Sequence, residues 1–163
     1  MKRRWHMKEI IEKLKKNNKT IAIMESCTGG YIVNEITNIP GSSYVLKYSA
    51  VTYSNEYKIK MGVDKNIIDK YSVYSQEVAD EMSYKISCFS NSDYGVGVTG
   101  KLLRSDQNNN YGENDIVFIS LYEKEKNNFT RLKLKISYET REKNKELVYN
   151  NVVKLLDEVL SIK

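Results

Sequence analysis

The sequence predicts an α/β protein, a three-layer α/β/α sandwich built around a mixed, mostly parallel sheet. Short apolar runs with β-branched residues alternate along the chain with segments whose apolar residues recur at helical spacing. Strands that alternate with helices usually pair in parallel. Two late runs, 115–123 and 129–136, are separated by charged residues and resemble a hairpin at one side of the sheet.

Each predicted element has its own local signal. A surface helix with lysines on one side is followed by a strand, a helix that stops at Asn38-Ile39-Pro40-Gly41, and a β-type run. Three shorter helical patterns come next, and then a strand whose glycines permit the close approach of another backbone. A long helix follows the hairpin. In order, the predicted elements before the hairpin are helix 7–17, strand 20–25, helix 30–37, strand 46–53, three helices that follow Ser54, Asp64 and Ser75, and strand 94–99.

Caps and apolar stripes support the later helices. Ser54, Asp64, Ser75 and Thr140 each precede a helical pattern and are expected to cap it. The third of these helices should bury Val78, Met82, Ile86 and Phe89, and the last should bury Val148, Val152, Leu155, Leu156 and Val159.

Length and composition exclude several classes of protein. The 163 residues fit one domain, 1–163, in which residues 1–6 are a candidate unstructured extension and Met7 an alternative natural start. No apolar stretch is long enough to span a membrane, and the basic N-terminus lacks a signal-peptide core. The net charge of +5 comes from scattered lysines without a nucleic-acid motif, so we expect neither a membrane nor a nucleic acid as partner.

The cysteine and histidine counts restrict the chemistry further. Cys27 and Cys88 have no metal-type spacing and are expected to be reduced thiols in a cytoplasmic protein. The only histidine, His6, lies near the N-terminus, which argues against a Ser-His-Asp or Cys-His arrangement and against a histidine-based metal site. If the protein is a hydrolase, its base is therefore a lysine, a carboxylate or a tyrosine.

The stretch from Thr20 to Gly30 is the strongest candidate for part of a site. It runs from a predicted buried strand through Ser26, Cys27 and Thr28 into a helix. Backbone N–H groups at a helix N-terminus favour an anion or a developing oxyanion. The alternative is an ordinary turn in which Ser and Thr only cap the helix, and this stretch alone does not separate the two.

Hydroxyl groups lie at the ends of three predicted strands. Ser26, Tyr53 and Thr99 each come directly after an apolar run. In open α/β sheets, sites lie beyond the carboxyl ends of the strands. Three hydroxyls in this position indicate a site more strongly than any one of them.

Four segments together resemble a known family. Glu25-Ser-Cys-Thr-Gly-Gly, Pro40-Gly-Ser-Ser, Thr52-Tyr-Ser-Asn-Glu-Tyr-Lys58 and Val98-Thr-Gly100 are similar to the C-terminal domain of the CinA competence/damage-inducible family. The similarity runs through essentially the whole chain. It implies the deamidation of nicotinamide mononucleotide to nicotinic acid mononucleotide and ammonia, by a serine and lysine mechanism without metal or cofactor. With the 13 tyrosines, it also favours a homo-oligomer.

The resemblance also implies roles for individual residues. Ser43 matches the nucleophile, Lys58 the general base and Tyr53 a tyrosine that assists proton movement. The residues it places around the substrate are Ser26, Thr28, Gly29, Thr99, Gly100 and Arg141, of which Arg141 is suited to gripping the phosphate. Outside the resemblance, a serine in a turn and a lysine on a short helix are more often a cap and a solvated side chain.

One segment departs from the family pattern. After Thr99-Gly100 the family continues with a loop rich in glycine and proline, whereas this chain reads Lys101-Leu-Leu-Arg-Ser-Asp-Gln-Asn-Asn-Asn. Three hypotheses therefore stay open. The first is the nicotinamide nucleotide amidase, the second is a catalytically silent relative that binds a nucleotide or a partner through a rebuilt loop at 101–113, and the third is an amidase or esterase for another small substrate.

Overall fold

The computed structural model describes residues 6–103 and 114–161. Predictions for residues 1–5 of the N-terminal extension and for most of the 101–113 loop lie outside the described residues. The elements are α1 (Met7–Lys16), β1 (Ile21–Glu25), α2 (Tyr31–Thr37), a 3₁₀ helix (Ser42–Tyr44), β2 (Leu46–Val51), α3 (Asn55–Lys60), α4 (Lys65–Tyr71), α5 (Gln76–Ser90), β3 (Tyr94–Gly100), β4 (Ile116–Glu123), β5 (Asn128–Lys135) and α6 (Arg141–Ser161).

The five strands form one mixed sheet in the order β2-β1-β3-β4-β5. β1 pairs in parallel with β2 on one side and with β3 on the other, whereas β4 and β5 add to β3 in antiparallel fashion. The predicted α/β class and the predicted hairpin are confirmed. The parallel strands share one carboxyl edge, at which β1, β2 and β3 all end.

Helices cover both faces of the sheet because β1 is apolar on both. Ile21 and Ile23 belong to one core cluster, which also contains buried residues of α1, α2 and α6. Ala22 and Met24 belong to a second cluster with residues of α4 and α5. Alternate residues of a strand point to opposite faces, so this continuous apolar run requires a layer of helices on each side.

The glycines of β3 explain how closely α5 packs on the sheet. A Cβ at Gly95 would lie 1.9 Å from the Ser83 carbonyl oxygen, and one at Gly97 would lie 2.3 Å from the Ala79 oxygen. Both are backbone atoms of α5 that have no room to move, so side chains other than hydrogen are excluded there. The close approach that these glycines predicted is confirmed.

The predicted caps are present, and one predicted core residue is wrong. Side-chain oxygens of Ser54, Asp64, Ser75 and Thr140 accept backbone N–H bonds from the first turns of their helices. Phe89, however, is 63% exposed. It lies in the last turn of α5 beside the edge strand β2, where the ring of Tyr48 packs against it at 5.0 Å between centroids. No helix in the described part of the chain is long and apolar enough to cross a membrane.

Candidate active site at the carboxyl edge of the parallel strands

A buried lysine contacts a serine where the parallel strands end. Lys58 Nζ donates to Ser26 Oγ at 3.0 Å and to the Thr52 carbonyl oxygen at 2.6 Å. The lysine is 1% exposed and the serine 6%. Loss of water disfavours the charged form of a lysine, and a neutral amine beside a hydroxyl can accept its proton.

Two strands and one short helix position this pair. Ser26 follows the last residue of β1, and Thr52 follows the last residue of the neighbouring β2. Thr52 N donates to the Glu25 carbonyl oxygen at 2.8 Å, which extends the parallel pairing by one more bond. Ser54 then starts α3, whose single buried residue is Lys58. The turn between β2 and α3 thus brings the lysine back over the strand ends.

The structure places Ser43 and Lys58 at opposite ends of β2. Ser43 is exposed and belongs to the 3₁₀ helix that precedes Leu46, the first residue of this strand. Lys58 follows the strand and contacts Thr52. The six residues of β2 span about 20 Å. The predicted pairing of Ser43 with Lys58 therefore does not form within the chain, and Ser26 occupies the position next to the lysine.

The Glu25 carboxylate accepts hydrogen bonds from backbone N–H groups at the start of α2. Its Oε1 accepts from Thr28 Oγ1 at 2.6 Å and from the Ile32 backbone N–H at 3.0 Å, and its Oε2 accepts from the Val33 N–H at 3.0 Å. The carboxylate is fully buried. These helix N–H groups are thus not available to a ligand, and neither Ser nor Thr caps the helix, so both readings of this turn need correction.

The two predicted threonines donate to protein acceptors. Thr28 Oγ1 donates to Glu25, and Thr99 Oγ1 donates to the Val73 carbonyl oxygen at 2.9 Å. Both residues are fully buried. Their hydroxyl protons are committed to these bonds, so they hold the edge of the site rather than present a donor to an oxyanion.

The remaining predicted residues surround the same edge at different depths. Gly29 adopts a φ of +60°, and a Cβ there would lie 3.5 Å from Lys145 Nζ. Gly100 ends β3, where a Cβ would lie 2.6 Å from the Ile116 carbonyl oxygen. Tyr53 follows Thr52 and is 65% exposed. Its ring is available to a ligand, and its role in proton movement stays a prediction.

Arg141 links the last helix to the segment after β3. It is the first residue of α6, and its Nη1 donates to the Leu102 carbonyl oxygen at 2.9 Å. It also lies close enough to Cys27 to lower the pKa of that thiol, as Lys58 does. The arginine therefore lies between the end of β1 and the segment after β3.

Cys27 is unsuited to be the nucleophile. Burial raises the pKa of its thiol to about 12, and the neighbouring Glu25 adds to the rise, against the opposing effect of Lys58 and Arg141. At pH 7 roughly one thiol in 10⁵ is then ionised. Cys27 is therefore a small buried residue of the core.

We expect the two cysteines to differ sharply in alkylation. At pH 8, iodoacetamide should modify the exposed Cys88 of the folded protein and leave Cys27 intact until denaturant is added. Because the folded-state pKa of Cys27 is raised, native labelling should begin only as the pH approaches about 12. Peptide mass spectrometry measures both sites, and rapid native labelling of Cys27 at pH 8 would contradict this environment.

Three contributors to the site were missed or misread from sequence. Glu25 was noted only as a member of a motif, although an acidic residue that ends an otherwise apolar strand is itself a signal. The carbonyl oxygen of Thr52 leaves no trace in sequence. Lys145 is one of many lysines on a helix. Within residues 6–103 and 114–161, no group of three or more His, Cys, Asp or Glu side chains is arranged to hold a metal ion.

Comparison with known proteins gives consistent results. The family profile of the CinA C-terminal domain matches residues 4–160. A competence-damage inducible protein of Clostridium kluyveri is 49% identical over 82 residues, which are 50% of this chain and 20% of that protein. A CinA-like protein of Endomicrobium trichonymphae is 47% identical over 88 residues, or 53% of this chain and 21% of its own length. These matches thus span about a fifth of the relatives.

Solved structures show the same fold. A CinA superfamily protein from Klebsiella pneumoniae superimposes with a TM-score of 0.87 at 16% identity, and the match covers 96% of both chains. The competence/damage inducible protein CihA from Agrobacterium tumefaciens gives 0.80 at 22% identity, covering 95% of both.

Proposed function

Because the chain belongs to the CinA C-terminal domain family, we propose that it is an amidohydrolase that deamidates nicotinamide mononucleotide. The observation that carries the proposal is the buried contact between Lys58 Nζ and Ser26 Oγ. A serine hydroxyl attacks an amide only when a base removes its proton. Among the described residues, this lysine is the base that lies against a serine at the carboxyl edge of the sheet.

The proposed reaction runs through an acyl-enzyme. Neutral Lys58 takes the proton of Ser26 Oγ, and the oxygen attacks the carboxamide carbon. Lys58 then returns the proton to the departing nitrogen, which leaves as ammonia. A water molecule, deprotonated by the same lysine, attacks the ester carbon. Lys58 returns that proton to Ser26 Oγ as the carbon–oxygen bond breaks, which frees the serine and releases the acid, and the acid then ionises to the carboxylate product.

The second hydrogen bond of the lysine supports this role. Thr52 O accepts one N–H bond at 2.6 Å. This bond holds Nζ in place against Ser26 Oγ. The backbone N–H that follows Ser26 is our candidate oxyanion donor, because the serine lies in a strand–turn–helix connection, as in nucleophile elbows.

A second candidate function is a silent relative that binds a nucleotide without turnover. The hydroxyl protons of Thr28 and Thr99 bond to Glu25 and Val73, and the first free N–H groups of α2 bond to Glu25. These bonds remove donors that an amidase would use to stabilise its oxyanion. This observation favours binding over catalysis and makes a direct assay decisive.

We expect purified protein to release ammonia from nicotinamide mononucleotide, and the two serines to differ. Ser26→Ala should lower the rate at least about 10³-fold, because it removes the attacking atom. Ser43→Ala is the matched control at the opposite end of β2, and its rate should stay within a few-fold of the wild-type rate. Ammonia release in a coupled assay measures both.

Other results would change the assignment. A loss confined to Ser43→Ala would overturn the role of Ser26 and restore the nucleophile that the resemblance implies. Nucleotide binding without ammonia release would select the silent relative. Cleavage of other amides or esters alone would select a different substrate class.

A further inference from the structure

A second buried lysine lies near the end of β3, with no acceptor in the part of the chain that the structure describes. Lys101 directly follows Gly100 and is 3% exposed. Its Nζ has no hydrogen-bond partner among the described residues. It lies 4.8 Å from the centroid of the Tyr74 ring. This cation–π contact offsets only part of the free energy that removing an ammonium group from water costs.

The backbone around Lys101 is anchored on both sides. The N–H of Lys101 donates to the Ile116 carbonyl oxygen at 3.1 Å, and the carbonyl of Leu102 accepts from Arg141. Tyr74 follows Val73, whose carbonyl holds Thr99. The backbone of this segment is therefore held by β4 and α6, and the Lys101 side chain packs on the segment that precedes α5.

The location of Lys101 connects it to the proposed active site. β1 and β3 pair in parallel through Met24 and Gly97, so Ser26 and Thr99 lie at the same edge of the sheet. Arg141 contacts Leu102 and also lowers the pKa of Cys27, which follows Ser26. Cationic groups thus gather at this edge, and the carboxylate of Glu25 is already occupied by its three donors.

We propose that Lys101 binds the phosphate monoester of the substrate. An excess of cations at a buried edge suits a dianion, and an ammonium group without an acceptor gains a charge-assisted hydrogen bond when the phosphate arrives. Lys101 is the first residue at which this chain departs from the glycine- and proline-rich loop of the resemblance, so its buried charge is a feature of this chain. That the ligand is the substrate of an amidase rests on the proposed function. The contact between Lys101 and a phosphate monoester is tested without it.

Ribose 5-phosphate tests the contact without requiring catalysis. Titration calorimetry should detect binding of ribose 5-phosphate and not of ribose. Lys101→Met keeps the aliphatic stem and removes the charge, and it should weaken binding about 10-fold or more. Lys154→Met, which removes one charge from an exposed position of α6, is the matched control and should bind as wild type does. Lys101→Gln serves if the methionine variant does not fold.

A thermal readout gives an independent check. Without ligand, Lys101→Met should raise Tm, because it replaces an uncompensated buried charge by an apolar group. Added ribose 5-phosphate should then raise the Tm of the variant less than that of the wild type. Wild-type affinity in Lys101→Met, or a fall in its ligand-free Tm, would overturn the inference.

The amidase proposal and this inference fail in different ways. No ammonia release, together with Lys101-dependent binding of ribose 5-phosphate, removes the amidase and supports the phosphate contact. Ammonia release with an unchanged KM for nicotinamide mononucleotide in Lys101→Met retains the amidase and overturns the phosphate contact.

Discussion

Replacing Lys58 by methionine should lower kcat for amide hydrolysis by at least about 10³-fold while leaving KM within a few-fold. General bases contribute about 10²–10⁴-fold, and loss of the base that activates a nucleophile falls at or above the upper part of this range. The substrate should still bind, because the substitution removes the proton acceptor of Ser26 and no other group of the site. Steady-state ammonia release measures the change.

Lys60→Met is the matched control for this experiment. Lys60 lies two residues further along the same short helix, where its Nζ pairs with Glu56 at 2.8 Å on the exposed side. The Lys60→Met substitution changes the net charge by the same amount as Lys58→Met and leaves the Lys58 contacts in place. Near-wild-type activity is expected, since exposed pairs of this kind contribute less than about 1 kcal/mol. If Lys58→Met kept a tenth of the wild-type kcat, another base would have to be found.

Local signals predicted the framework of the site well. The order of strands and helices, the hairpin, the four caps and the close approach at Gly95 and Gly97 each depend on residues adjacent in sequence or on one repeating pattern. Such features follow from the chemistry of short stretches of sequence. The choice of Lys58 rests on the family resemblance rather than on a local signal, and the structure places this lysine at the strand ends.

The serine partner of Lys58 was beyond the reach of local reasoning. Ser43 and Ser26 both lie in small polar turns, and only the parallel pairing of β1 with β2 determines which turn shares an edge with Thr52 and Lys58. A turn before a strand and a turn after it end on opposite edges of a sheet. The motif match carries no information about that direction, and the two turns that contain the serines have similar compositions.

The role of Glu25 was hidden for a related reason. From sequence, the small polar turn after β1 offered the N–H groups of α2 to a ligand. In the fold, the preceding strand brings its own terminal carboxylate onto those groups. Whether the N–H groups at a helix start are free or bonded depends on the path of the chain in three dimensions. In this case the carboxylate lies seven and eight residues before the groups it bonds.

Glu25→Ala should destabilise the protein by about 3 kcal/mol or more. The substitution leaves three buried donors without their acceptor, namely the Thr28 hydroxyl and the backbone N–H groups of Ile32 and Val33. Each unsatisfied buried group costs about 1–3 kcal/mol, and α2 also loses a negative charge at its N-terminus. Urea denaturation measures the change as a lower midpoint with an unchanged slope.

Two further variants separate the carboxylate from general effects of substitution. Glu25→Gln keeps one acceptor oxygen but turns an amide N–H towards a backbone donor, so its loss of stability should lie between those of wild type and Glu25→Ala. Glu12→Ala, on the exposed side of α1, should change stability by less than about 0.5 kcal/mol. A loss below about 1 kcal/mol for Glu25→Ala would mean that water or other groups replace the carboxylate, and that the start of α2 is open to a ligand after all.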